Sequence, residues 1–484
     1  MQKILFAAAE ALPFIKVGGL GDVMGSLPAA LNARGADARV VLPLYAQIPQ
    51  QLRENMTFVA NIRVSLGWRV SHCGIFTAEY GGVTYYLLDN EQYFKRPAVY
   101  GEYDDGERFA FFSKAALEIL PHIGFYPDVI NVNDWHTALV PLYLNAFYRQ
   151  TAGYEAIRTV LSIHNIEFQG KYDPYILGSV FGLDVAFRDI LIYDGCLNIL
   201  KGGIESADRI ITVSESYAQE ILAPFYAFGL HHILLARKEK LIGIVNGIDT
   251  ALFDPKTDRN ISCGYDLGTL RFKAINKRTL QKEMGLPQNP GTPLIGMVTR
   301  LTPQKGLALI GEAMDAISEM DMQLVVLGSG DPEFETMVRD WSARAGDRVR
   351  CSIGFSPTMA SRIYAGADLF FMPSRSEPCG LAQMIAMRYG TVPVVHAVGG
   401  LKDTVLPFNA ETGTGNGITF QTYEAWDMLD ALRRALALYR QKNLWRAVRR
   451  NGMQRDSSWQ HSAQKYLDVY CALGGAESAA ESLP

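Results

Sequence analysis

An α/β fold made of two doubly wound halves is what this sequence predicts, on three observations. Short apolar runs that end in polar residues alternate with helical segments along the chain, the pattern of parallel sheets covered by helices. A Gly-Gly-Leu turn occurs twice, in Lys16-Val17-Gly18-Gly19-Leu20-Gly21-Asp22-Val23 and in Val398-Gly399-Gly400-Leu401-Lys402-Asp403-Thr404-Val405, each between an expected strand and an expected helix. The length, 484 residues, is enough for two or three domains. Paired glycines alone mark turns of every kind. Two copies in similar strand-to-helix settings point to two similar halves facing one cleft.

Residues 3–9 read as the first strand, 20–34 as a helix and 37–42 as a second strand stopped by Pro43, an opening βαβ unit. The apolar run behind Lys3 is too short for a signal peptide, and Glu10 ends it. Strands with glycine-containing turns follow, including 68–78 and 83–88, then a helix over about 106–120. Residues 128–132, 158–163 and 209–213 read as buried strands that end at Asn133-Asp134-Trp135-His136, His164-Asn165 and Ser214-Glu215-Ser216. Ligands of open parallel sheets collect at the carboxyl ends of strands, so chemistry is expected at these tips.

The pattern restarts near Lys240, with a strand at 242–245 leading into Asn246-Gly247-Ile248-Asp249. Residues 254–292 read as part linker and part helix, around 271–284. Strands at 294–299, 323–327, 349–353, 369–372 and 392–395 then alternate with helices, and the chain is helical after about 422. The expected domains are therefore 1–240, 241–455 and a closing segment, 456–484. That segment is a helix returning to the first domain and then, from Gly474, a small polar tail expected to be disordered.

Composition is that of an ordinary soluble globular protein, 48% hydrophobic and 20% charged. A net charge of −4 gives no general attraction to nucleic acid or anionic membrane, and no stretch approaches the length of a membrane span. The six cysteines form no C-x-x-C pair and no metal-ligand spacing with the eight histidines, so reduced thiols in a cytoplasmic protein are expected.

The most informative stretch is Ser374-Arg375-Ser376-Glu377-Pro378-Cys379-Gly380-Leu381, a turn between a buried strand and a helix. Amides at a helix start suit a phosphate, and a fixed carboxylate suits sugar hydroxyls or developing positive charge. Arg300 and Lys305, in Thr299-Arg300-Leu301-Thr302-Pro303-Gln304-Lys305-Gly306, follow the first strand of the second domain. Two cations carried toward a helix suit a diphosphate, with arginine binding bidentately and lysine as a point charge. Glu377 and Asp134 could each cap a helix instead, His164 could be a core histidine, and Trp135 and Phe168 could be core rather than platforms.

Lys16-Val17-Gly18-Gly19-Leu20, Asp134-Trp135-His136, His164-Asn165 with Gln169-Gly170, Asn246-Gly247-Ile248-Asp249, Arg300 with Gln304-Lys305-Gly306, and Glu377-Pro378-Cys379-Gly380-Leu381 together resemble the bacterial glycogen synthase and plant starch synthase family, in order from residue 2 to about 470. The resemblance implies two Rossmann-like domains facing a deep cleft, the GT-B arrangement. It also implies a retaining glucosyl transfer from ADP-glucose to the non-reducing 4-hydroxyl of an α-1,4-glucan such as glycogen or a maltooligosaccharide. On that basis Glu377, Lys305, Arg300, His164 and Asp134 are the expected catalytic residues. Lys16, Gly19, Asp22, Asn165, Asn246, Phe355, Cys379, Gly380 and Leu381 are expected at the donor, with Phe355 stacked on adenine. Glu10, Tyr100, Trp135 and His136 are expected on the acceptor side.

A retaining double displacement needs a carboxylate beneath the anomeric carbon, and neither Glu377 nor Asp134 is a clear nucleophile, so front-face attack assisted by the donor phosphate is expected. The cations at 16, 300 and 305 can do what a divalent metal does elsewhere, so neither metal nor cofactor is expected. One rival is a related transferase with another donor or a small acceptor. Many of those enzymes have a second glutamate eight residues after the first, where this chain has Ile385. The other rival is a non-catalytic carbohydrate- or nucleotide-binding protein, which would not need the full set of Lys16, Arg300, Lys305 and Glu377. A dinucleotide oxidoreductase is disfavoured, because Gly18-Gly19-Leu20-Gly21 lacks the G-x-G-x-x-G spacing.

Overall fold

A computed structural model describes residues 1–474, which divide into two compact α/β units. Residues 475–484, most of the expected disordered tail, lie outside the described residues; Gly474 ends the last helix.

Unit 1 comprises Met1–Gly247 and the helix Trp459–Gly474. Its strands are β1 (Lys3–Ala7), β2 (Asp37–Pro43), β3 (Thr57–Leu66), β4 (Arg69–Tyr80), β5 (Val83–Asp89), β6 (Val129–Asn133), β7 (Arg158–Ile163), β8 (Lys171–Tyr172), β9 (Ile192–Tyr193), β10 (Cys196–Asn198), β11 (Arg209–Thr212) and β12 (Leu241–Gly243). Nine of them form one sheet in the order β12-β11-β7-β6-β1-β2-β5-β4-β3, while β8, β10 and β9 make a small separate sheet. Pairing is parallel from β12 to β5 and antiparallel at β5-β4 and β4-β3. Burial on both faces explains the apolar run of β1 at residues 4–7; β6 is buried throughout although Asn131 and Asn133 interrupt its apolar residues, whereas β3 alternates exposed and buried residues in its second half.

Unit 2, Ile248–Ser458, holds β13 (Leu294–Val298), β14 (Gln323–Gly328), β15 (Val349–Ile353), β16 (Leu369–Met372), β17 (Val392–His396) and β18 (Ile418–Phe420). The order β15-β14-β13-β16-β17-β18 is wholly parallel. Alternate residues of β14 feed separate cores: Leu324 and Val326 pack with Leu309, Trp341 and Met428, while Val325 and Leu327 pack with Leu280 and Ile363. That two-sided burial is what makes the sheet doubly wound.

The boundary at 240/241 needs correction. Strand β12 hydrogen-bonds to β11 in the unit 1 sheet, so the first crossing comes after Gly247 and Asn246 belongs to unit 1. The return crossing falls at 458/459 rather than 455/456. The helix Trp459–Gly474 docks on unit 1 through Arg34, whose guanidinium donates to the Gln460 carbonyl at 2.7 Å and to Gln464 at 2.7 Å. The Asn131 amide donates to the Tyr470 hydroxyl at 2.8 Å inside the core.

Candidate active site

In each unit the chain leaves one central strand in one direction and later returns on its other side, the switch point where open sheets bind ligands. In unit 1 it lies between β1 and β6, and in unit 2 between β13 and β16.

At the tip of β1, Glu10 is 3% exposed. Its Oε2 accepts from the amides of Val17 at 2.5 Å and Gly18 at 2.8 Å, and its Oε1 accepts from the Tyr100 hydroxyl at 2.6 Å. One carboxylate oxygen thus orders the glycine loop while the other holds Tyr100, which is also expected on the acceptor side. Lys16 Nζ is 2.6 Å from Asp22 Oδ1. The helix Gly19–Asn32 starts without a side-chain cap, and a Cβ on Gly19 would meet nothing within 4 Å. Open space therefore lies beside the uncapped first turn.

At the tip of β6, Asp134 has the left-handed φ of 54°, rare for a residue with a side chain. It does not cap its helix. Its Oδ1 accepts from the His164 amide at 2.7 Å and the Asn165 amide at 3.4 Å, tying the β6 and β7 tips together. His164 Nε2 lies 2.8 Å from Asn133 Oδ1, and the Asn133 amide nitrogen donates to the Ala7 carbonyl. The ring therefore carries its proton on Nε2 and keeps Nδ1 as an acceptor. Burial drives the His164 imidazole down to about 4, opposed by Glu10, so the ring is neutral near pH 7.

Trp135, 9% exposed, packs against Phe109 and Tyr172 and is a wall of an aromatic cluster rather than a platform for sugar. The His136 ring stacks on Tyr100 at 4.6 Å, and burial, then Arg108, drives it down to about 3. Among the described residues Asn246 Oδ1 is buried with no hydrogen-bond partner.

Burial pushes the Asp134 carboxyl up to about 7, against the two amides that favour its charged form and helped by Glu10. An unfolded aspartate ionises near 4, so the contribution of Asp134 is fully present below about pH 4 and is lost as pH rises toward 7. His164 and His136, both depressed, act oppositely below about pH 6.5. The prediction is therefore a difference. Asp134→Asn keeps the acceptor for His164 and should gain roughly 2 kcal/mol relative to wild type between about pH 4 and pH 7 in urea unfolding. A pH-independent difference would show that Asp134 is ionised throughout.

In unit 2, Arg300 follows β13, is exposed, and has no ion-pair partner among the described residues. The chain then makes a short turn at Pro303–Lys305, ended by Gly306 at φ 81°, where a Cβ would sit 2.0 Å from the Pro373 carbonyl oxygen. Only glycine lets the Lys305 loop lie this close to the segment leaving β16. There Lys305 Nζ donates to Glu377 Oε1 and Oε2, both at 2.7 Å, and Ser374 Oγ donates to Oε2 at 2.9 Å. Glu377 is 6% exposed. The helix after it is Ala382–Arg388, so Cys379 and Gly380 precede its first turn and Leu381 is its N-cap. Phe355, beyond β15, is 82% exposed.

The second Gly-Gly-Leu copy has a different job. It follows β17, not the switch-point strand, and the Gly400 amide donates to the carbonyls of Glu377 at 3.0 Å and Pro378 at 3.2 Å. The Lys305–Glu377 pair, across 72 positions, and the clamp by Glu10 carry no local sequence signal.

A doubly wound sheet with a buried carboxylate held by a lysine, and an exposed arginine on the loop that carries that lysine, is the equipment of a glycosyltransferase. The family description "Starch synthase catalytic domain" matches residues 3–236, and "Glycosyl transferases group 1" matches 281–454. The chain is 48% identical over 474 residues to a glycogen synthase of Desulforamulus reducens, covering 98% of this chain and 99% of that one. It is 46% identical over 476 residues to a glycogen synthase of Lactobacillus acidophilus, covering 98% and 100%. Among solved structures it is similar to the catalytic domain of starch synthase IV from Arabidopsis thaliana bound to ADP and acarbose, with TM-score 0.91, 34% identity and coverage of 98% and 99%. A sucrose-phosphate synthase from Thermosynechococcus elongatus, TM-score 0.63 and 18% identity over 98% of this chain and all of that one, shares the fold. The chain belongs to the glycogen synthase family.

Proposed function

We propose that the protein transfers glucose from ADP-glucose to the non-reducing 4-hydroxyl of an α-1,4-glucan, with retention, in the cytoplasm and without a metal. The observation that carries this reading is Glu377, held by Lys305 and Ser374 at the unit 2 switch point, with the exposed Arg300 on the same loop as Lys305. Arg300 and Lys305 stabilise charge growing on the departing diphosphate, and Glu377 takes sugar hydroxyls and faces the oxocarbenium-like ring. The glucosyl bond to phosphate breaks as the acceptor oxygen attacks the same face, and the acceptor proton passes to the released phosphate. In unit 1, Lys16 and the open turn at Gly19 are assigned to donor phosphate, and neutral His164 offers Nδ1 to a sugar hydroxyl. Asp134 and Asn165 hold that tip, Asn246 adds the unpartnered amide oxygen, and the exposed Phe355 ring suits adenine. The free state of all six cysteines agrees with a cytoplasmic setting. No helix among the described residues is long and apolar enough to cross a membrane.

Nucleotide release with glycogen, a metal chelator and either ADP-glucose or UDP-glucose tests the reading. Acceptor-dependent release of ADP that survives the chelator is expected. Release from UDP-glucose alone would overturn the donor, chelator-sensitive release would overturn metal independence, and silence with both donors would favour a binding protein.

A further inference from the structure

The opposite edge of the unit 2 sheet carries a second concentration of charge. Asp368 immediately precedes β16, and Thr292 lies just ahead of β13, so this is the amino edge, away from Arg300 and Glu377. It holds a cavity of about 510 Å³ whose sixteen lining residues include seven cations and a single acid, Asp368. Composition alone gives the chain a slight negative charge, so this local excess is specific to the place.

The inner wall cannot balance itself. Lys273 is 4% exposed, and among the described residues its Nζ donates to neutral oxygens, the carbonyls of Tyr364 and Ala365 and the Thr391 hydroxyl, at 2.7–2.9 Å. Lys277, also buried, takes Asp368 at 2.7 Å, and that same carboxylate accepts the Leu294 amide at 3.0 Å. Arg449 donates to the Gly390 carbonyl at 3.1 Å. Three basic side chains thus share one carboxylate in a partly dry site, where a bound anion favours their charged forms. Burial, then Arg449, pushes the Lys273 ammonium well below its usual range. At the rim stand Arg271, Arg278, Arg440 and Lys442; Arg278 and Lys442 are exposed and have no carboxylate partner among the described residues. Tyr439 and Trp445, edge to face at 5.1 Å, complete the wall with apolar ring surface.

We propose that this cavity is a second anion site that takes a small phosphate ester, the phosphate against the lysine and arginine wall and a sugar ring against Tyr439 and Trp445. Its volume lies in the range of small-molecule sites, and the charge calls for a dianion rather than a neutral glucan.

The test is thermal unfolding of the full chain with ribose 5-phosphate or inorganic phosphate, at constant ionic strength so that bulk screening is fixed. Arg300→Ala disables phosphate binding at the donor edge, and the double variant Arg278→Glu/Lys442→Glu reverses the cavity rim. The rim variant should keep the wild-type melting temperature and basal transfer rate without ligand. With ribose 5-phosphate at about tenfold its Kd, a rise of about 3 °C is expected in wild type and in Arg300→Ala, and none in the rim variant. The proposal is overturned by an absent or non-saturating shift in wild type, by a shift lost in Arg300→Ala, or by one kept in the rim variant. An equal response to inorganic phosphate overturns the ester assignment.

Discussion

Lys305→Ala is expected to lower kcat by about 10²–10³-fold, because it removes one of two cations assigned to the leaving diphosphate. It should also destabilise the fold by about 2–3 kcal/mol, since it strands the Glu377 carboxylate, now bonded by Lys305 through both oxygens. Glu377→Gln separates the two effects. The carboxamide keeps its shape and can still accept from Ser374 Oγ, so stability should fall less while kcat falls comparably. In the double variant Lys305→Ala/Glu377→Gln neither charge is left alone, and the two stability losses should fail to add by about 1–2 kcal/mol. The measurement is kcat and KM for each variant beside its denaturant midpoint. Turnover near wild type in a folded Lys305→Ala protein would remove Lys305 from the chemistry.

Gly400→Ala is expected to do comparable damage without touching any charged group. A Cβ at residue 400 would lie 2.2 Å from the Cys379 carbonyl oxygen and 2.4 Å from its Cα, both backbone atoms that cannot rotate away. The turn carrying Glu377 must shift or the helix Gly399–Thr404 must lift. Either loses the two amide hydrogen bonds to the Glu377 and Pro378 carbonyls, at about 1 kcal/mol each in addition to the strain. A displacement of about 1 Å at a catalytic carboxylate lowers rate by about 100-fold, so activity should fall before folding does. Alanine at Gly19, where the space is open, is the control for a purely steric effect within the chain and should leave the melting temperature near wild type. An active, wild-type-stable Gly400→Ala variant would mean that the turn does not depend on this contact.

What the sequence made legible follows from distance along the chain. Strand β16 is an unbroken apolar run and was readable to the residue; β15, an edge strand interrupted by Arg350 and Ser352, was placed with the same bounds, and Asp134, His164 and Arg300 lie at the carboxyl ends of β6, β7 and β13. Strand β3 and the two-residue strands β8 and β9 lack that signature, because pairing rather than composition makes them strands. The glycine repeat was real, but its copies are not equivalent: Glu10 orders the first, while the second orders Glu377. Trp135 shows the limit most directly. Its place in a motif made it a candidate platform, and only packing by Phe109 and Tyr172 shows that its ring is spent inside the protein.

The discontinuity of unit 1 also sets an order of events during synthesis. Chains ordinarily fold from the amino end as each domain emerges from the ribosome. Here the 211 residues from Ile248 to Ser458 must emerge before the helix that covers Phe6 and receives the Asn131 side chain on Tyr470. The amino-terminal sheet, begun first, is therefore finished last, and the inserted unit can be complete while its predecessor still has part of its core uncovered. A chain truncated after Ser458 and released should present a protease-resistant second unit and a susceptible first one.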